Sequence, residues 1–123
     1  MNPLQAHIDG WRRHDAAAVL ETLTDTCVVV EGHGPVYHGR DRVEQWMRSW
    51  FDAGGAVDTW VVTSFADAGT TLVAEWRFGS TWRGVRSQFE GVSVARIEDG
   101  RIAYLREYAT TAPLYEWTGT WRD

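Results

Sequence analysis

Few residues of this chain can carry reaction chemistry. Glu31 closes the apolar run CVVVE, and Glu107 interrupts the alternating segment RIAYLREYA. A carboxylate that faces an apolar, water-poor wall is disfavoured in its charged form, so its pKa rises and it becomes a better proton acceptor near neutrality. A buried carboxylate must otherwise be paired, hydrogen-bonded or protonated. The four histidines, His7, His14, His33 and His38, titrate in the same range. Glu31 with His33 and His38 matches no standard metal-ligand spacing, and no metal is assigned to them. Cys27 is the single cysteine, so no internal disulfide can form, and within CVVV it reads as a buried apolar residue.

The motifs of other chemistries are missing. The sequence holds no nucleophile elbow, no P-loop, no glycine-rich dinucleotide fingerprint after a strand and no paired cysteine motif. What is left is proton transfer by side chains, with no cofactor expected.

Tryptophan is the unusual feature of the composition: Trp11, Trp46, Trp50, Trp60, Trp76, Trp82, Trp117 and Trp121 make eight in 123 residues. Each brings a large apolar area and one N–H to satisfy. A core this small absorbs only some of them, so at least two are expected to line a ligand cavity. Trp117 and Trp121, near the terminus, are expected at the surface or an interface.

At 14.0 kDa the chain is one domain, 1–123, able to bury roughly two thirds of its unfolded surface. Hydrophobic residues are 44% and charged residues 24%, ordinary globular proportions that argue against disorder and fibrous repeats. A net charge of −5 with scattered basic residues gives no stripe for phosphate, so nucleic acid is not an expected partner. No apolar run approaches the roughly twenty residues of a membrane span, and MNPLQAHIDG lacks the pattern of a signal peptide. No membrane partner is expected, and the reading is cytoplasmic.

The elements that must position these groups follow from periodicity. Apolar residues recur at helical spacing through residues 3–23, broken at His14-Asp15, where Asp15 is expected to N-cap a second short helix. Residues 26–31 form a short strand, and 32–39 hold the glycines and proline of a turn or bulged hairpin. Helical spacing returns over 41–51 through Val43, Trp46, Met47 and Trp50, and Gly54-Gly55 stops it. The remainder predicts strands over 57–66, 72–82, 86–98 and 101–108, an antiparallel meander with three helices on one face. The fold class is α+β.

Three segments in this order, GWRRHDAAAVLETLTD, VVVEGHGPVYHGRDRVEQW and FEGVSVARIEDGRIAYLREY, resemble the SnoaL-like and ketosteroid-isomerase-like branch of the nuclear transport factor 2 superfamily. The resemblance spans most of residues 3–110. It implies a cystatin-like α+β roll, a curved sheet wrapped into a cone around a pocket, and often a homodimer. It does not imply one reaction, because that cone hosts isomerases, polyketide cyclases, epoxide hydrolases, dehydratases and binding modules. Carried over by position, the isomerase base falls on Glu31, its tyrosine on His7 and its protonated aspartate on Ser93. Only the base keeps its type, so a steroid isomerase is not expected. Glu31 is the first choice of base and His7 a candidate proton donor. Glu107 is then an interior general or structural acid, and His38 lies at the pocket mouth.

Alternation places Leu105 and Glu107 on one face of the last strand, Trp76 and Phe78 on another, and Phe89, Gly91 and Ser93 on a third, all of which the resemblance turns toward the cone. With Trp11 and Trp46 from the helices these residues are expected to bind a small apolar or aromatic molecule. Trp60, Val73, Glu75, Val92 and Val94 are expected on the opposite face, available for a homodimer. Two functions stay open at this point: a cofactor-independent acid–base enzyme using Glu31 with Glu107 or His7, and a non-catalytic small-ligand or dimerisation module.

Overall fold

A computed structural model describes residues 2–122. Helix α1 (Pro3–Arg12) starts where the Asn2 side chain accepts from the Gln5 N–H at 2.8 Å, with proline at a position whose missing N–H is not needed. It breaks at His14, whose φ of 55° is left-handed. Helix α2 (Ala16–Glu21) opens on Asp15, whose carboxylate accepts from the Ala18 N–H at 3.0 Å, the expected cap. The two helices touch at Gly10, where a Cβ would stand 2.9 Å from a Val19 methyl. Helix α3 (Arg40–Asp52) buries Val43 and Met47 and stops before Gly54, which takes a φ of 85°.

The strands are β1 (Leu23–Val30), β2 (Val36–His38), β3 (Ala56–Asp67), β4 (Thr71–Trp82), β5 (Val85–Glu98) and β6 (Arg101–Ala109). They form one curved, unclosed sheet in the order β2-β1-β6-β5-β4-β3. The meander β3 to β6 is antiparallel throughout. One pairing departs from the expected antiparallel sheet: β1 runs parallel to β6, with Val30 beside Arg106. Tight turns force antiparallel pairing only on sequence neighbours, and β1 meets β6 after the whole meander has intervened. The core lies between the sheet and the helices, with Leu4, Ile8 and Val19 packed over Leu72, Ala74, Ala95, Ile102 and Leu105. Among the described residues no helix is long and apolar enough to cross a membrane.

Trp60 corrects the expected outer face. It is 6% exposed and points inward, opposite Phe78 on β4. The β3–β4 register shifts between Val57 and Thr59, so Val57 and Trp60, three positions apart, both face the cavity. A bulge resets the two-residue alternation on which the expectation stood.

Candidate active site

A cavity of about 490 Å³ opens between the helices and the inner face of the sheet. Trp11 of α1 enters from above, and Trp46 and Trp50, one turn apart on α3, stand beside it with ring centroids 5.0 and 6.0 Å from the Trp11 ring. From the sheet come Val57, Trp60, Trp76, Phe78, Ser80 and Phe89. Trp60 meets Trp76 and Phe78 nearly perpendicular, at 82° and 85°, and Phe78 and Phe89 are 5.1 Å apart. The rings lock one another, so the wall is preformed.

Both carboxylates reach this cavity. Glu31 follows the last residue of β1, and Glu107 follows Arg106, the residue beside Val30 in the parallel β1–β6 pair. The two therefore extend from neighbouring strands, whose axes lie about 4.8 Å apart. On one side, the Tyr37 O–H donates to Glu31 Oε1 at 2.5 Å, and the Tyr37 ring stacks on Trp46 at 4.2 Å and 8°. The hairpin produces this contact by pairing Tyr37 with Val29, two residues before Glu31 on the same strand face. The exposed His33 places Nδ1 3.7 Å from Glu31 Oε2. On the other side, Glu107 lies opposite Ser93 on β5. The Trp76 N–H donates to Ser93 Oγ at 2.9 Å, and the Ser93 O–H donates to Glu107 Oε2 at 3.3 Å. Trp76 can lie across β5 because position 91 is glycine; a Cβ there would stand 2.5 Å from its ring.

These surroundings make the two acids unlike. Burial pushes Glu31 upward, and the Tyr37 hydrogen bond and the His33 charge pull it back by favouring the carboxylate. Burial, then the nearby Glu31 charge, raises Glu107 to about 7, with the Ser93 hydrogen bond opposing. Two carboxylates in one cavity resist ionising together, and this is the direction in which the Glu31 charge acts on Glu107. The Tyr37 phenol is itself raised by burial and by its bond to Glu31, so it remains a donor across the neutral range.

Of the candidate site residues, Glu31, Glu107, Trp11, Trp46, Trp76, Phe78 and Phe89 line one cavity, and four others do not. His7 is a correction. It is buried away from the cavity wall, with Nδ1 2.9 Å from Thr22 Oγ1 and Nε2 accepting from the Trp11 N–H at 3.2 Å. Because the Thr22 O–H donates to the Val19 carbonyl, His7 must be the Nδ1–H donor to Thr22, which fixes it as neutral imidazole. Burial lowers its pKa to about 4, so it has no proton to give near neutrality. Ser93 is 1% exposed and acts behind the wall on Trp76 and Glu107, so it does not meet a ligand. Leu105 is sealed in the core. His38 is exposed at the end of β2, beside Asp25, Arg40 and Asp41 in a separate surface depression.

Tyr37, Trp50 and Trp60 are the residues sequence reasoning left out of the site. Closing the hairpin as a two-strand pair places Tyr37 beside Glu31, and the spacing of four from Trp46 places Trp50 on the same helix face. The bulge that turns Trp60 inward left no mark in the sequence. Among the described residues no three His, Cys, Asp or Glu side chains gather as a metal site requires.

The model of the SnoaL-like domain matches residues 4–105. A putative polyketide cyclase from Xanthomonas campestris pv. campestris is 22% identical, with 86% of each chain covered and a TM-score of 0.72. An M. tuberculosis LEH-like epoxide hydrolase is 19% identical over 88% of this chain and 80% of that one, with a TM-score of 0.79. A hypothetical protein with a ketosteroid isomerase-like fold from Catenulispora acidiphila, solved in complex with trimethylamine, is 15% identical over 89% and 85%, with a TM-score of 0.76. At these identities the likeness is one of fold. No curated protein matches the chain.

Proposed function

The chain belongs to the family of SnoaL-like domains, and from that premise we propose that it is a cofactor-independent acid–base enzyme acting on a small, largely apolar cyclic substrate. One observation carries the reading: Glu31 and Glu107 reach a single aromatic-walled cavity from neighbouring strands, Glu31 held by the Tyr37 O–H and Glu107 by the Ser93 O–H. Glu31, ionised and held by the Tyr37 O–H, takes a proton from a carbon next to a carbonyl or from a water attacking a strained ring. Glu107 delivers its proton to the oxygen on which charge develops. One proton is taken and one is given, so the pair returns to its resting charge after exchanging a proton between its members or with solvent. The wall excludes water and holds a flat ring between indole and phenyl faces. Isomerisation, cyclisation, dehydration and epoxide opening share this arrangement.

The test is a panel of small cyclic ketones, enones and epoxides in deuterated water with a chelator present. The wild-type protein should catalyse exchange at the carbon beside the carbonyl, or ring opening, for at least one member. Absence of both across the panel, or equal rates with Glu31→Gln, contradicts the reading.

We also propose a homodimer formed through the outer sheet face. There Val73, Val94 and Arg106 lie in one cross-strand row, and Glu75, Val92 and Tyr108 in the next. Light scattering at tens of micromolar should return twice the chain mass, and a monomer mass would refute it.

A further inference from the structure

We propose that the ligand of this cavity carries a positively charged nitrogen, as a substituted ammonium on an apolar body, resting on the acid–base reading of the same cavity and naming its substrate class. Both acids of the wall are carboxylates, and among the described residues the only basic side chain that lines it is His33, which is 72% exposed. All basic residues other than histidine are arginines, and none lines the cavity. Arg106, next in sequence to Glu107, is turned to the outer face over the Tyr108 ring, and Arg96 lies over Tyr104. The wall therefore holds no arginine, and the one base near its carboxylates is the exposed His33, 3.7 Å from Glu31.

The aromatic rings are set to receive one. A substituted ammonium is drawn to the negative face of an indole and repelled by its N–H edge. Trp11 turns its N–H back to His7, and Trp76 turns its N–H back to Ser93. The Trp60 N–H is buried without a hydrogen-bond partner and is also withdrawn from the cavity surface. The Trp11 ring makes angles of 52° and 76° with Trp46 and Trp50, and Trp60 stands at 82° to Trp76. These rings pack on one another and together line the cavity with aromatic surface, with the carboxylates in the same lining. A neutral ligand of the same shape gains the burial but gives the Glu31 carboxylate no charge to pair with.

The groups that face the acids are Tyr37 on β2, Ser93 on β5 and His33 in the hairpin turn. Helices α1 and α3 contribute only uncharged Trp11, Trp46 and Trp50 to the wall. A cation pairs with the ionised Glu31 and leaves the Glu107 proton in place, so its advantage over a neutral ligand should shrink as falling pH protonates Glu31, whose pKa burial raises.

The experiment measures binding of choline and of its neutral carbon analogue 3,3-dimethylbutan-1-ol by quenching of indole fluorescence, from pH 6 to 8.5. Choline should bind at least tenfold tighter than the alcohol at pH 8, and this ratio should fall toward pH 6. In the double variant Glu31→Gln/Glu107→Gln the ratio should drop to about one; should that variant not fold, the pH dependence of the wild type decides. Choline binding no tighter than the alcohol at pH 8, including no binding by either, overturns the proposal. The acid–base reading fails on a different result, undiminished turnover by the single variant Glu31→Gln.

Discussion

Glu31→Gln should lower turnover on a carbonyl or epoxide substrate by about a hundredfold or more, the usual contribution of a positioned general base, with little change in KM. The amide has nearly the same shape, and its oxygen can still accept from Tyr37, whose ring remains stacked on Trp46. What disappears is the basic electron pair. Circular dichroism and the thermal midpoint should therefore stay close to wild type while steady-state rates collapse. A loss of both together would point to a structural carboxylate instead.

Glu107→Gln should cost about as much in kcat, for the opposite reason: an amide can donate a hydrogen bond to the substrate oxygen but cannot hand over a proton. The wild-type rate should fall as pH rises through about 7, where Glu107 loses its proton, and the variant should lack that limb. Stability carries the same signature. Between the ordinary carboxylate value of 4.5 and about 7 the folded protein keeps a proton on Glu107 that the unfolded chain has released. Folding then binds more protons than unfolding, so wild-type stability declines as pH rises across that window. A neutral amide has no such dependence, and urea unfolding should show the variant gaining on wild type by up to about 3 kcal/mol between pH 5 and 8. The buried His7 acts in the opposite direction, because its folded pKa is lowered to about 4 and its stabilisation grows from there to 6.5. It is common to both proteins and cancels in the difference.

The sheet and most of the wall were legible because period-two alternation survives where strands are regular. Trp76, Phe78 and Phe89 face inward as the pattern requires, and Glu107 shares its face with Ala109, both lining the cavity. The errors fall where a feature of one residue's size decides. A bulge in β3 reverses the face of Trp60, which no count of alternate positions reveals. Tyr37 depends on how the hairpin closes, which the glycines around it left open. His7 sits at a position that the resemblance makes catalytic, yet Thr22, fifteen residues on, and Trp11, one turn on, use both ring nitrogens. Chemistry at that position is set by contacts, and contacts with Thr22 are invisible to helical spacing. The shared cavity of the two carboxylates likewise needed the parallel β1–β6 pair, which brings together residues 76 positions apart in sequence.

Glu31 and Glu107 should feel each other's charge within one cavity. Carbon-13 NMR of glutamate-labelled protein, with the two carboxyl signals assigned from the Glu31→Gln and Glu107→Gln variants, tests it most directly. The Glu107 midpoint should lie near 7 and move down once Glu31→Gln removes the neighbouring charge. Two carboxyl groups titrating independently near 4.5, each indifferent to the other's substitution, would contradict it.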